Sequence, residues 1–478
     1  MGARASLVAG LVAGLAGGLV AGLATACTSD PAPPDPEPGQ ELTLPGDPSS
    51  LPEDTSTPAT TRPLVLAVNA RHPPIEVSAK VARRVAGGRI HDWSALGLAP
   101  GRLRVTDRTD RLDALPMDTV AVVVADAVTP AVRVVDVAGI DPMKDPEGYP
   151  MQVPGPPPRL PTTLTVVGDV LLGRRVGAAA AATGDPSAPL RPMQERLASA
   201  DLTVGNLEGT LSRAGAPTQG GDSFAADPRV RAGLREAGFD ALDLANNHTG
   251  DFGPEALVET VARLRRGGLA TFGAGRSPRA ARAPVVLERH GVRFGFLAFN
   301  AIGETPEVAP GRPGTVSVSM PPRTGPLDRA ELRRFLAAVR HLADRVDVVV
   351  VMPHWGTQYT ERPEPVQGRV ARQLVHAGAD LVVGGHPHWV QGAALLGDSL
   401  VVQSLGNFVF DMDFMAETQE GLVLEVVFWG DRLMQAELVP YRIGPDFAPR
   451  VVSYADASGM FDRFWRFSSL GRVAARPR

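Results

Sequence analysis

Short apolar runs alternate with amphipathic stretches through the middle of the chain, and polar residues follow the end of each run. This alternation predicts an α/β fold with buried, largely parallel strands. The runs that matter for chemistry are 164–167, 201–204, 239–244, 346–352 and 380–383. Ligands of open α/β sheets collect beyond the carboxyl ends of the strands. The pattern therefore predicts one shared site rather than scattered structural polar residues.

The residues at these five ends are carboxylates, amides and imidazoles, which are metal-capable groups. They are Asp169, Glu208, Asn247, His248, His354, His386 and His388. The sequence Gly384-Gly385-His386-Pro387-His388 places two imidazoles on a glycine turn that directly follows a strand. Alone, this pair would indicate two surface histidines; with the other strand ends, it favours a site for adjacent metal ions.

Residues 63–153 are predicted to form a separate small α/β module. Strands are expected at 64–68 and 119–124, with a helix at 78–85 capped by Ser78. The stretch 85–97 resembles a segment of phosphate-type periplasmic binding proteins. Because the module is too short for a two-lobed binding protein, a partial lobe used for docking is favoured over a solute-binding sensor.

The proline-rich segment 154–161 predicts a linker that separates this module from a larger domain at 162–445. Two late runs, 422–429 and 433–438, flank Gly430-Asp431 and predict a hairpin that closes the sheet. Residues 446–478 show no clear periodicity and are predicted to be a C-terminal tail.

The amino-terminal residues predict export. Residues 1–26 are almost uncharged and apolar, as in a signal peptide, and Leu23-Ala24-Thr25-Ala26-Cys27 resembles a bacterial lipobox. Acylation of Cys27 would anchor the chain to the membrane; an uncleaved anchor or an ordinary signal peptide is the alternative. Residues 27–62 are rich in Pro, Asp, Glu, Ser and Thr and predict a disordered tether. The body of the protein is therefore expected outside the cytoplasm, held at the bacterial cell membrane.

Composition narrows the class of partner. The chain has 478 residues, 44% of them hydrophobic and 21% charged, with a net charge of −4. These values are typical of a globular protein, and the absence of a basic stripe argues against a nucleic-acid partner. Cys27 is the only cysteine, so the body can form no internal disulfide.

Six ordered motifs between about 164 and 411 resemble the bacterial capsule-synthesis CapA family of the poly-γ-glutamate type. They are Gly168-Asp169-Val170-Leu171-Leu172-Gly173-Arg174, Asn206-Leu207-Glu208, Leu244-Ala245-Asn246-Asn247-His248 with Asp251 and Gly253, His354-Trp355-Gly356, Gly385-His386-Pro387-His388, and Ser404-Leu405-Gly406-Asn407-Phe408-Val409-Phe410-Asp411. The resemblance implies an α/β sandwich of the calcineurin-like metallophosphoesterase type for residues 162–445.

The resemblance also implies roles for the metal-capable residues. Asp169 would hold one divalent ion, Glu208 would bridge two, and His388 would return to the first. The second ion would be held by Asn247, His354 and His386. One or two ions of Mn, Zn, Fe or Mg are expected. One departure matters: metallophosphoesterases carry Asp-x-His on the first strand, whereas Leu171 stands at the third position here.

Other residues near the motifs have two interpretations each. His248 is expected to protonate a leaving group, or else to make a structural hydrogen bond to Asp251. Arg174 would bind an anionic substrate, or else form a local ion pair. Trp355 is expected to wall the pocket, and Asn407 to support a metal ligand or to lie at the rim of the pocket. These three are the predicted substrate-binding residues.

The function implied is the making, attachment or trimming of an extracellular anionic polymer, poly-γ-glutamate being the family's eponymous case. One hypothesis is a metal-dependent hydrolase of a phosphoester or an amide bond. The alternative is a non-enzymatic component that binds the polymer or its synthase complex and uses the metal structurally. Leu171 favours the alternative, whereas the otherwise complete set of metal-capable residues favours chemistry.

Overall fold

A computed structural model of the chain describes residues 60–470. The predicted signal peptide, nearly all of the predicted tether, and Cys27 lie outside the described residues. The predicted tether extends to Arg62, but Thr61 and Arg62 belong to the first strand. Across residues 60–470 no helix combines the length and the apolar character that crossing a membrane requires.

The first module is a five-stranded sheet with one short helix on it. Its elements are β1 (Thr61–Asn69), β2 (Glu76–Val77), α1 (Ala79–Ala86), β3 (Arg104–Thr106), β4 (Thr119–Val124), β5 (Val132–Val134), β6 (Asp136–Val137) and β7 (Gln152–Pro154). The sheet has the order β3-β4-β1-β5, and β7 also pairs with β1. Both predicted strands and the helix are confirmed, and Ser78 Oγ caps the helix by accepting from Val81 N. The likeness to a binding-protein lobe stays a prediction.

The larger part follows with strands and helices in alternation. Its first half contains β8 (Pro161–Val170), α2 (Arg174–Thr183), α3 (Gln194–Ala198), β9 (Leu202–Leu207), α4 (Val230–Glu236), β10 (Ala241–Asp243), α5 (Gly253–Arg266), β11 (Ala270–Phe272), β12 (Ala274–Gly275), α6 (Pro278–Ala281), β13 (Val285–Arg289) and β14 (Val292–Asn300). Its second half contains β15 (Gly314–Thr315), α7 (Arg329–Ala343), β16 (Val348–His354), α8 (Pro365–His376), β17 (Leu381–Val383), β18 (Val390–Leu396), β19 (Ser399–Leu405), β20 (Asn407–Val409), β21 (Glu420–Trp429), β22 (Arg432–Ile443), β23 (Pro449–Val451) and α9 (Ser458–Arg466).

These strands form two large mixed sheets, so the fold is α/β with several sheets. The eight-stranded sheet has the order β11-β10-β9-β8-β21-β22-β23, with β20 also paired to β8. The six-stranded sheet has the order β13-β14-β16-β17-β19-β18. Strands β8 to β11 are parallel to one another, as are β14, β16, β17 and β19, and antiparallel strands complete each sheet. The five predicted strands and the hairpin at Gly430 are confirmed.

The two large sheets face each other across one apolar core. Strand alternation sends Val166 and Val350 into the core between the sheets. The neighbouring residue Val167 points to a second cluster, which lies under α2 to α5. Val349 and Val351 point to a third, under α7 and α8. Helices therefore cover the outer faces, and each central strand is buried on both sides, which explains its continuous apolar sequence.

The proline-rich segment does not isolate the first module in space. The module core includes Val427, Trp429 and Met434, which come from the β21–β22 hairpin. The described residues, 60–470, accordingly form one compact unit. The predicted domain boundaries therefore mark a change in the sequence. In the structure, the first module and the larger part pack against each other at the β21–β22 hairpin.

The predicted C-terminal tail contains regular structure that the sequence did not reveal. Residues 449–451 form β23 and residues 458–466 form α9. Helix α9 buries Met460, Phe461 and Phe464 against the core between the sheets. These three apolar residues fit a single helical face, but so short a pattern among arginines gives a weak periodic signal.

Candidate metal centre

The two histidines of the glycine turn are buried at the carboxyl end of β17. His386 and His388 both have left-handed backbone conformations, with φ of 94° and 57°, and each is 1% exposed. Gly385 lies so close to the carboxylate of Asp169 that a Cβ there would stand 2.7 Å from Oδ1. The turn therefore requires glycine at 385, and it brings the imidazoles inward rather than onto the surface.

Three residues from different strands meet in front of this turn. Asp169 lies on β8, Glu208 directly follows β9, and His354 ends β16. One ligand atom from each lies within 4.8 Å of the other two, and all three side chains are buried. His354 Nε2 is 3.0 Å from Glu208 Oε1, and the ring centres of His354 and His386 are 5.0 Å apart. The predicted convergence of strand ends is thus observed.

Buried amides fix which atoms face this cluster. Asn246 Oδ1 accepts from the backbone N–H groups of His248 and Thr249, so its Nδ2 must donate, and it donates to Asn206 Oδ1 at 2.8 Å. Asn206 Nδ2 is therefore the group that faces Asp169, and it donates to Asp169 Oδ1 at 2.8 Å. The second oxygen of Asp169 accepts from the backbone N–H of His386 at 3.1 Å.

Asn247 presents its carbonyl oxygen to the cluster. Its Nδ2 donates to Glu304 Oε2 at 2.7 Å, which leaves Oδ1 facing His354 Nε2 at 3.0 Å. His388 is held by Asn407, whose Nδ2 donates to Thr418 O and whose Oδ1 therefore accepts from His388 Nδ1 at 2.9 Å. This leaves the lone pair on Nε2 of His388, which lies 3.4 Å from Gln358 Nε2.

Burial of the cluster away from water shifts the pKa values of its carboxyl and imidazole groups. Burial and the nearby charge of Glu208 raise the pKa of Asp169 to about 7, and burial raises the pKa of Glu208. Burial lowers the pKa of His354 and of His388 to about 4, and it lowers the pKa of His386 well below the usual range. The imidazoles are therefore neutral at pH 7, which is the form that binds metals.

The donor set fits a divalent ion. Both ring nitrogens of His386 and Oε2 of Glu208 are buried without a hydrogen-bond partner among the described residues. Buried polar atoms are normally paired, so these three call for a ligand. Imidazole nitrogen and carboxylate oxygen suit zinc, manganese or iron. Asp169, Glu208 and His354 can hold one ion, and Asn247, His386 and His388 lie around them.

Comparison with known proteins places this cluster in a family. A family model described as "Bacterial capsule synthesis protein PGA_cap" matches residues 163–412, more than half of the chain. The chain belongs to this family. All six predicted metal ligands lie in the matched segment, and the likeness to CapA proteins inferred from the motifs is confirmed.

Individual relatives agree with the family match. The chain is 29% identical over 317 residues to the capsule biosynthesis protein CapA of Bacillus anthracis, covering 65% of this chain and 74% of that protein. It is 26% identical over 261 residues to the PGA biosynthesis protein CapA of Bacillus subtilis, covering 54% and 65%. A 5′-nucleotidase structure from Candida albicans superimposes with a TM-score of 0.35 at 13% identity, covering 60% and 52%. A score that low carries no conclusion.

His248 makes the structural hydrogen bond to Asp251 that was one of its two predicted functions. Its Nδ1 lies 2.8 Å from Asp251 Oδ2, and its ring stacks on Phe224 with 3.7 Å between ring centres. Burial lowers the pKa of His248, but the hydrogen bond to Asp251 and the charge of Glu208 outweigh it and raise the pKa overall. Nε2 remains available, so the role as proton donor stays a prediction.

The three predicted substrate-binding residues are differently placed. Arg174 forms a two-pronged ion pair with buried Asp411, as its alternative interpretation expected, and its guanidinium covers the ring of Phe224. The assignment of Trp355 needs correction, because this side chain is fully buried in the core under α7 and α8 and cannot wall a pocket. Asn407 is fully buried and holds His388 through Nδ1, which is the supporting role that was one of its two predicted positions.

Some residues of the centre were not singled out from the sequence. Asn206 and Asn246 lie within two of the motifs without a predicted role, although they set the polarity of the hydrogen bonds. Glu304, which orients Asn247, lies in a loop at φ 63° with no motif around it. Leu171 is fully buried among apolar residues and lies beyond the end of β8, so it brings no donor to the centre.

Proposed function

We propose that the cluster around Asp169, Glu208 and His354 binds a divalent metal ion and that the protein hydrolyses a phosphoester or an amide bond of an anionic envelope polymer. The observation that carries the proposal is His386, whose two buried ring nitrogens have no partner beside three further ligands. The names of the two Bacillus relatives, a capsule biosynthesis protein and a PGA biosynthesis protein, support the choice of polymer.

The fold that we infer for residues 162–445 is the calcineurin-like metallophosphoesterase sandwich. Support comes from two facing mixed sheets with helices outside them, and from ligands at the carboxyl ends of β8, β9, β10, β16 and β17. The order of the ligands along the chain also agrees with that scaffold.

Different residues of the site would carry out different parts of such a hydrolysis. A bound divalent ion would polarise the attacked group and lower the pKa of a water molecule. Asp251 holds His248 through Nδ1, so Nε2 would deliver a proton to the leaving oxygen or nitrogen. Glu304 holds the amide of Asn247, and Asn407 holds the ring of His388, so both present fixed lone pairs.

We propose the same site for the alternative function, a non-enzymatic component that binds the polymer or its synthase complex. The specific observation in its favour is burial, because none of the six predicted metal ligands is more than 3% exposed. A metal held so deeply can stabilise the edge of both sheets without meeting a substrate.

We also propose that the protein is secreted and tethered to the bacterial membrane by acylated Cys27, with an uncleaved anchor or an ordinary signal peptide as the alternatives. Cys27→Ser should then release the protein into the medium or stall its processing. An unchanged membrane fraction and an unchanged gel mobility would point to the uncleaved anchor.

Metal analysis combined with a hydrolysis screen tests the central proposal. His386→Ala and His354→Ala should each remove about one metal equivalent while the domain stays folded, because both residues lie at strand ends and in none of the apolar clusters. His376→Ala, on the exposed face of α8, is the matched control and should keep its metal. Wild-type turnover of phosphodiesters or γ-glutamyl amides that both site variants lose supports the hydrolase. Bound metal without turnover supports the alternative, and a wild-type protein that binds no metal rejects both.

A further inference from the structure

Tyr359 lies beside the candidate metal centre in a backbone conformation that a tyrosine seldom adopts. Its φ is 60°, in the left-handed region where a residue with a Cβ is sterically disfavoured. Two hydrogen bonds of 2.9 Å hold this segment: the backbone N–H of Tyr359 donates to Pro387 O, and Gln391 Nε2 donates to Thr360 O. The first of these bonds ties Tyr359 to the turn that carries His388. The segment therefore fixes an aromatic side chain next to a predicted metal ligand.

The ring of Tyr359 lies between the metal centre and the surface of the protein. It stacks on the imidazole of His388, with 6.0 Å between the ring centres and 26° between the ring planes. On its other side Phe414 meets it edge-on, with 5.5 Å between the ring centres. Phe414 is 58% exposed, Tyr359 is half-buried and His388 is 1% exposed. The three rings therefore run from the solvent to the centre, and Tyr359 is the middle one.

The hydroxyl group of Tyr359 is only weakly bonded within residues 60–470. It donates to Met412 Sδ at 4.0 Å, and a thioether sulfur is a weak acceptor. Burial raises the pKa of Tyr359, the charges of Asp222 and Glu208 raise it further, and the charge of Arg174 lowers it. The hydroxyl is therefore within electrostatic reach of Glu208 in the centre and of the partly exposed Arg174. A donor in this position can meet a group that approaches the metal ligands from the solvent.

We propose that Tyr359 is a substrate-binding residue of the metal centre and that its hydroxyl donates a hydrogen bond to an anionic oxygen of the group that is hydrolysed. This inference rests on the proposed hydrolase and names the contact that would hold its substrate. An anionic oxygen accepts a stronger hydrogen bond than a thioether sulfur, so a bound substrate would replace Met412 as the partner. Because His388 and Phe414 hold the ring, the hydroxyl is positioned before the substrate arrives.

Isothermal titration calorimetry of the manganese-loaded, full-length protein with inorganic phosphate tests this proposal, and the metal content of each sample is measured alongside. The wild type should bind phosphate saturably. Tyr359→Phe keeps the ring and removes the hydroxyl, so it should weaken phosphate binding about tenfold while metal content and melting temperature stay unchanged. Tyr149→Phe, which removes a buried hydroxyl in the first module, is the matched control and should alter the affinity less than about twofold.

A parallel titration with acetate distinguishes the two bonds that the hydrolase could cleave, because hydrolysis of an amide leaves a carboxylate. If Tyr359→Phe weakens the binding of phosphate alone, the hydroxyl contacts a phosphoryl oxygen. If it weakens the binding of acetate alone, the hydroxyl contacts an oxygen of the attacked amide. A loss for both anions supports the contact with an anionic oxygen that the two cases share.

Three outcomes would overturn the proposal while the measured metal leaves the metal site standing. These are equal affinities of the wild type and Tyr359→Phe for both anions, a metal-loaded wild type that binds neither anion, and a loss of metal in Tyr359→Phe. The last of these would show that the hydroxyl supports the centre itself. A wild type that holds no metal and binds neither anion would overturn this proposal and the proposed function together.

Discussion

At the residue scale, side-chain amides decide what the centre can bind. Two backbone N–H groups fix Asn246, Asn246 fixes Asn206, and Asn206 then points an N–H group at Asp169. A cation cannot bind on that side of Asn206, because a donor already occupies it. Glu304 fixes Asn247 in the same way. It accepts from Asn247 Nδ2, so the carbonyl oxygen of Asn247 faces His354.

Asn206→Asp should reverse the effect of this donor. Without metal, a carboxylate would face Asp169 Oδ1 across about the 2.8 Å of the present hydrogen bond, and like-charge repulsion should lower stability by about 1–3 kcal/mol. With a divalent ion bound, the added charge should raise metal affinity. Thermal unfolding with chelator and with manganese measures both effects. Asn69→Asp in the first module is the control, and an equal response of the two variants to metal would contradict the assignment.

Arg174 and Asp411 should behave as one structural unit. Asp411 is 2% exposed and also accepts from the backbone N–H of Arg175, so removing Arg174 leaves a buried carboxylate short of partners. Arg174→Ala should therefore destabilise by about 3–5 kcal/mol. In a double-mutant cycle with Asp411→Ala, coupling of about 1–3 kcal/mol is expected from urea unfolding.

The neighbouring ion pair, Arg175 with Asp413, is the comparison for the double-mutant cycle. Arg175 and Asp413 are about half exposed, so Arg175→Ala should cost less than the loss of Arg174. Independent effects of Arg174→Ala and Asp411→Ala would show that Arg174 is free to bind a substrate instead.

At the element scale, an aspartate immediately precedes several of the parallel strands and binds the strand beside it. Asp201 accepts from Thr163 N, Asp240 from Thr203 N, Asp347 from Arg293 N and Asp380 from Val349 N. These contacts lie at the amino ends of the strands, opposite the metal centre. They tie β8 to β9, β9 to β10, β14 to β16 and β16 to β17, and so help to set the register of both sheets.

Asp380→Asn should stabilise the protein above pH 6. Burial raises the pKa of Asp380 to about 6, above its usual 3.8. The favourable contribution of this group is complete below pH 3.8 and is lost as pH rises through about 6. The charged form then costs about 1–3 kcal/mol at pH 8. Asparagine keeps the acceptor for Val349 N without the charge, so its melting temperature should exceed that of the wild type at pH 8, but not at pH 4.

Asp347→Asn is the control of opposite sign. The hydrogen bonds from Arg293 lower the pKa of Asp347, so its charged form stabilises the protein at neutral pH and loses that effect as pH falls. Asp347→Asn should therefore lower the melting temperature at pH 8. If the melting temperature at pH 8 fell for both variants, burial would not destabilise the charged form of Asp380.

The sequence predicted the elements that depend on local pattern and missed those that depend on distant contacts. The central strands were predictable because a strand that is buried on both faces has a continuous apolar sequence. The metal ligands were predictable because they come at or just after the ends of these apolar runs. Strand alternation does not place Leu171 beside Asp169, because β8 ends at Val170 and Leu171 packs with Val170 and Leu172 in one apolar cluster. Glu304 and the orientation of Asn206 depend on residues 40 or more positions away.

At the scale of the whole molecule, the hairpin β21–β22 joins the first module to the sandwich. One strand of the hairpin pairs with β8, while Trp429 and Met434 complete the module core. Polar contacts support this junction: Trp429 Nε1 donates to Met143 O at 2.9 Å, and Lys144 pairs with Glu425 at 3.2 Å. Sequence reasoning placed a linker at 154–161, where the chain does pass between the two parts. It could not foresee that residues almost 300 positions later close the module.

Trp429→Ala should therefore lower the stability of both parts together. The indole is 5% exposed, and its removal should cost about 3–5 kcal/mol through lost burial and the cavity that remains. Because the module core and the sandwich share the hairpin, calorimetry should record one transition that shifts to lower temperature as a whole. Trp93→Ala, in the module core but distant in sequence from the hairpin, should shift the same single transition. Two separate transitions, with only one of them moved by Trp429→Ala, would mean that the module folds independently and that the hairpin contact couples nothing.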